Sequence, residues 1–124
     1  MVKFNRFSDS AEYINFKQGD IVFKEGDSGD MAYGVKKGEV DILLRGRVIE
    51  HVLPGGMFGE LSLIDQKTSG VSVVAVTDCQ IVPINKRQFM FLIEQTPYFA
   101  LDVMSLMADR LRQCYSSQDE SLPA

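Results

Sequence analysis

The chain has 124 residues, 45% apolar and 24% charged, with 13 Lys and Arg against 17 Asp and Glu. That length gives one domain with its own core, and no apolar run nears the roughly 20 residues a bilayer crossing needs. A net charge of −4 argues against nucleic-acid binding, which rests on neutralising phosphates with Lys and Arg.

The opening MVKFNRFSDSAEY lacks the apolar stretch of a secretion signal, so cytoplasm is the expected location. Short strand signals punctuated by glycine then run to about residue 85. EYINFKQG alternates apolar and polar residues, and IVFKEGDSGD ends in a glycine-rich turn. MAYGVKKGEVDILLRGRVIEHVLPGG reads as two hairpins, turning at Lys37-Gly38 and at Gly46. The basic clusters KKG and RGR fall at those turns and read as solvated tips. His51 lies in the strand-like VIEHVL and is the sole histidine, with neither cysteine near it in sequence. A metal site of imidazoles and thiolates is therefore not expected; neither is a catalytic triad, and no enzyme activity is read from the chain. Cys79 and Cys114 suit a reduced compartment, each as a small buried apolar residue.

FGELSLIDQKTSGVSVVA, residues 58–75, begins as an anion cradle. Gly59 permits a tight turn, and ELSLI reads as one helical turn whose first amides have no carbonyl partner and point outward. The charged residues of the stretch are Glu60, Asp65 and Lys67, so it carries no arginine to face an anion. VSVVAVTDCQIVPIN adds two strands with a turn at Thr77-Asp78.

After residue 85 the spacing becomes helical. KRQFMFLIEQ puts Phe89, Leu92 and Ile93 on one stripe. Thr96-Pro97 reads as a helix start, with proline at the first position. From there a helix of about 19 residues, roughly 28 Å long, is expected. One of its faces collects Phe99, Val103, Met107 and Leu111; another collects Leu101, Met104, Ala108 and Tyr115. A helix lying on one sheet needs a single apolar face, so a homodimer through residues 97–115 competes with deeper burial in the same domain. The expected fold is mainly β: a small antiparallel barrel or jelly roll, an inserted helical turn, and two terminal α-helices. Its expected divisions are an N-terminal segment 1–14, the β-barrel 15–85, the helices 86–115 and a flexible tail 116–124.

This arrangement resembles the cyclic nucleotide-binding domain family from Asn15 to Tyr115. Gly19-Asp20-Ile21-Val22 with Glu25-Gly26-Asp27 is similar to the family's early glycine–acid pattern. Met31, Tyr33, Val35, Gly38 and Val40 fall in its next hairpin. Phe58-Gly59-Glu60-Leu61-Ser62 resembles the start of its phosphate-binding cassette, and Val73-Val74-Ala75 the strand that closes it.

The resemblance implies a ligand such as cyclic AMP or cyclic GMP. Gly59 and the amides of Leu61 and Ser62 are then implied to hold the phosphate, and Glu60 the ribose 2′-hydroxyl. The family ordinarily has an arginine just before the closing strand; Ser69 stands there, followed by Gly70 and Val71. A charge-assisted hydrogen bond contributes about 1.5–3 kcal/mol, so its loss implies binding roughly 10- to 150-fold weaker. Lys67 is the candidate substitute cation. Two functions remain open: a regulatory sensor with weak or altered ligand binding, or a degenerate domain serving as a dimerisation or protein-interaction scaffold. No segment after Tyr115 reads as a helix-turn-helix, so these 124 residues are not expected to read DNA.

Overall fold

The computed structural model describes residues 12–65 and 67–121, with side chains of the last helix through Tyr115. Most of the expected N-terminal segment and the end of the expected tail lie outside the described residues. Among the described residues eight strands form two four-stranded antiparallel sheets, in jelly-roll fashion rather than as one closed barrel. The first sheet has the order β1 (Ile14–Phe16), β8 (Cys79–Asn85), β3 (Met31–Lys37), β6 (Met57–Phe58). The second has the order β2 (Ile21–Phe23), β7 (Ser72–Ala75), β4 (Val40–Leu44), β5 (Arg47–Val52). Helix α1 (Glu60–Asp65) follows β6, and α2 (Lys86–Gln95) and α3 (Pro97–Ser121) close the chain.

Pleating explains the layers. Alternate side chains of one strand face opposite ways, and the first sheet is covered on both faces. Val35, Phe58, Cys79 and Ile81 meet Val40, Ile42, Val52 and Val73 of the second sheet. Ala32, Met57, Val82 and Ile84 point the other way, onto Leu63, Phe89, Phe99, Val103 and Leu106 of the helices. Burial on both sides accounts for the nearly unbroken apolar run of β8.

One of the two expected hairpins forms. Arg45 and Gly46 both adopt positive φ, 52° and 79°, as a two-residue turn between β4 and β5 requires. The Lys37-Gly38 turn does not join paired strands: β3 pairs with β6 and β8, whereas β4 pairs with β5 and β7. That turn is a corner carrying the chain from one sheet to the other. The Thr77-Asp78 turn is a second corner, and the two lock together through Val76 N–H to Glu39 O (2.9 Å) and Glu39 N–H to Thr77 Oγ1 (3.1 Å). Crossing there lets the apolar residues of β3 and β4 face each other across a core, which a flat hairpin cannot do. The glycine–acid pattern builds one turn twice, Asp20 accepting the amide of Lys17 (2.8 Å) and Asp27 that of Lys24 (2.9 Å).

The helices begin as their sequences require. Asn85 accepts the amide of Gln88, and Gln88 returns a carboxamide oxygen to the Asn85 amide, a capping box. The Phe89 stripe packs inward, with Leu92 and Ile93 partly buried beside it. On α3, Phe99, Val103 and Leu106 are buried, but Leu111 is exposed, away from the face the spacing assigned it to. The helix also continues to Ser121, past the expected end near Tyr115. Of the two cysteines, Cys79 is buried as expected, whereas Cys114 is exposed, as are all the residues from 111 to 115. No helix among the described residues is long and apolar enough to cross a membrane.

Candidate functional site

Gly59 ends β6 and starts α1. Its φ of 81° is a conformation side chains rarely adopt, and it backs onto the Met31 carbonyl and the Tyr33 ring. The helix that follows makes its first backbone bond from Leu63 N–H to Gly59 O, so the amides of Leu61 and Ser62 have no intrahelical carbonyl to meet. Gly29 fixes α1 from behind: any side chain there would collide with Ser62 Cβ and the Lys67 carbonyl.

In front of α1 lies a cavity of about 440 Å³, within the range of sites that take small ligands. All eight cassette residues line it: Phe58, Gly59, Glu60, Leu61, Ser62, Ser69, Gly70 and Val71. Its apolar wall comes from Phe23, Ile42, Leu44, Ile49 and Val73, and Phe23 lies 6.0 Å from Phe58, centroid to centroid. Lys67 is exposed and is not part of the lining. Ser69 is buried and turned on its own loop, its hydroxyl donating to the Val71 carbonyl at 2.7 Å and accepting the Val71 amide at 3.2 Å. Beside it, Gly70 has open space for a side chain.

The local sequence gave no hint of the remaining wall. Helix α3 contributes Arg110, Gln113 and Cys114, and β5 contributes Glu50. Arg110 clamps Glu50 with Nε at 2.8 Å and a terminal nitrogen at 3.2 Å, and donates to the Met57 carbonyl at 2.8 Å. Its other terminal nitrogen donates to Glu60 Oε1. Four of the five guanidinium N–H groups are thereby used. An arginine does stand in the cavity wall, then, but two carboxylates hold it, and the charged lining of Glu50, Glu60 and Arg110 sums to −1.

Glu60 is completely buried, and its Oε2 has no hydrogen-bond partner, the single such buried side-chain oxygen or nitrogen among the described residues. Burial pushes its carboxyl above the ordinary range, against the opposing pull of the Arg110 charge and its own backbone amide. For Arg110, burial works against the charge, but Glu60 and Glu50 outweigh it and raise the guanidinium further. A buried polar atom without a partner costs about 1–3 kcal/mol, so a group hydrogen-bonding to this oxygen would offset that cost.

A two-sheet sandwich whose Phe58–Ser62 turn faces a cavity walled in part by the last helix is the architecture that the resemblance implies. The model of the cyclic nucleotide-binding domain matches residues 13–96, and the chain belongs to that family. It is 34% identical over 103 residues to the cyclic AMP receptor protein of Thermus thermophilus, covering 79% of this chain and 48% of that protein. It is 38% identical over 81 residues to a cAMP-dependent protein kinase regulatory subunit of Eremothecium gossypii, covering 65% of this chain and 18% of that one. The crystal structure of the Thermus thermophilus catabolite activator protein superimposes with a TM-score of 0.78 at 32% identity, covering 88% of this chain and 54% of that one. The chain thus spans about half the length of the first of these relatives, and less of the kinase subunit.

Proposed function

We propose that this domain is a regulatory sensor taking a cyclic nucleotide, cyclic AMP or cyclic GMP, in the cavity before α1. Affinity is low because Ser69 replaces the cassette arginine. The observation that carries the reading is Glu60: buried, lining the cavity, with one carboxylate oxygen unpartnered, and the residue to which the resemblance assigns the ribose 2′-hydroxyl. The amides of Leu61 and Ser62 take the phosphate, while Ser69 spends its hydroxyl on Val71. Because Arg110 ties α3 to Glu60, a ligand that engages Glu60 also bears on the position of α3. It shifts that helix only by its differential affinity for the two arrangements.

Calorimetric titration with each nucleotide is expected to give saturable heat that is complete only near ~1 mM ligand. No heat and no shift in melting temperature for either nucleotide would remove the ligand-binding reading.

A second reading, a dimerisation scaffold, is favoured by the exposed face of α3. With Leu111 turned outward, Leu101, Met104, Ala108, Leu111 and Tyr115 follow one another at the alternating three- and four-residue spacing of a coiled-coil seam. Leu101, Met104, Leu111 and Tyr115 are each more than half exposed. A second copy of the same helix supplies the matching seam. Sedimentation is expected to give a dimer, and Met104→Glu, which puts like charges opposite each other, a monomer. A wild-type chain that stays monomeric at the highest soluble concentration would remove this reading.

A further inference from the structure

The outer face of the β4–β5 hairpin carries three metal-ligating side chains that sequence spacing did not bring together. Asp41 and His51 are register partners across the two strands. Glu39 lies in the corner just before β4, and its carboxylate also approaches His51. One oxygen from each carboxylate and one ring nitrogen of His51 all lie within 4.8 Å of one another. His51 Nδ1 is hydrogen-bonded to Asp41 Oδ1 and stands 3.9 Å from Glu39 Oε1. Ligand atoms on zinc lie at about 2.0–2.2 Å, and so at most roughly 4.2 Å from each other. The three donors therefore already share a space of about that size, and an ion would take the place of the His51–Asp41 hydrogen bond.

The backbone beneath is fixed. Glu39 donates its amide to Thr77 Oγ1 and accepts at its carbonyl from Val76 N–H (2.9 Å) and Cys79 Sγ (3.2 Å). These bonds tie the first ligand to the double corner between the sheets, while the β4–β5 ladder sets the other two. The His51 side chain is 64% exposed and the Glu39 side chain 35%, which leaves room for water to complete a coordination sphere.

We infer that Glu39, Asp41 and His51 form a binding site for a first-row divalent cation, with zinc the fitting example, separate from the nucleotide cavity. The donor set decides the class: imidazole suits zinc and its neighbours, carboxylates supply the compensating charge, and magnesium favours oxygen ligands and its own waters. His51 sits beside Glu50, which grips Arg110 in the cavity wall, so ion binding stiffens the strand that holds the clamp.

Calorimetry of the whole chain with zinc chloride is expected to find one ion per chain. His51→Ala and Asp41→Asn are each expected to lower affinity more than 10-fold, since changes even behind the ligands cost 10- to 100-fold. Cys114→Ser, which removes the exposed thiol, is expected to leave it unchanged. Absence of saturable binding, or binding lost in Cys114→Ser and kept in His51→Ala, would overturn the site. Should a variant fail its circular-dichroism check, manganese-induced broadening of wild-type amide resonances decides. Broadening centred on residues 39–41 and 51 supports the site, and broadening centred elsewhere refutes it.

Discussion

Ser69→Arg is expected to tighten cyclic nucleotide binding by roughly 10- to 150-fold, the value of one charge-assisted hydrogen bond of about 1.5–3 kcal/mol. The position lines the cavity, so an arginine there shares its space with Leu61 and Ser62, whose amides are proposed to take the phosphate. The gain is opposed by loss of the two hydroxyl bonds to Val71 and by the pull of Glu50 and Glu60 on a new cation. Ser69→Lys brings charge without a planar fork and is expected to gain less. Calorimetry with cyclic AMP and cyclic GMP on the three chains checks the ordering. Equal affinity for wild type and both variants would show that a missing cation is not what limits binding.

Arg110→Met is expected to destabilise the fold by about 3–5 kcal/mol, because it removes the partner of a completely buried carboxylate. For a chain of this size that lowers the melting temperature by roughly 10–20 °C. The double variant Arg110→Met/Glu60→Gln, which removes the stranded charge as well, is expected to recover most of the loss. Breaking one side of a buried pair is severe, whereas replacing both sides is often mild. Thermal unfolding of the single and double variants measures the difference. If Arg110→Met melts within about 0.5 kcal/mol of wild type, as an ordinary surface change does, the clamp does not form in solution.

Glu60 and Arg110 also show how far reading the chain could go. Glu60 was legible as a candidate site residue because Phe58-Gly59-Glu60-Leu61-Ser62, a turn glycine followed by the first turn of a helix, resembles the family's local pattern. Arg110 was not, because it acts on a residue 50 positions away, and within its own helix it is one more polar side chain between apolar ones. Leu111 illustrates the same limit. Its spacing placed it with Phe99 and Val103, yet at that turn α3 meets the cavity and β5 through Arg110, Gln113 and Cys114, and Leu111 faces outward.

The sequence by itself determined most of the strands, the turn at Gly46, the helical turn after Gly59 and the starts of the two terminal helices. Each of these is written in a period of two or of 3.6 residues, or in a glycine or capping residue at one place. Only the tertiary structure decided which turns are corners rather than hairpins, which side chains close the cavity from α3, and that Asp41 and Glu39 stand beside His51. Those outcomes depend on which strand lies next to which and where a helix crosses a sheet. Such pairings are fixed by burying the whole core at once, and no local spacing records them.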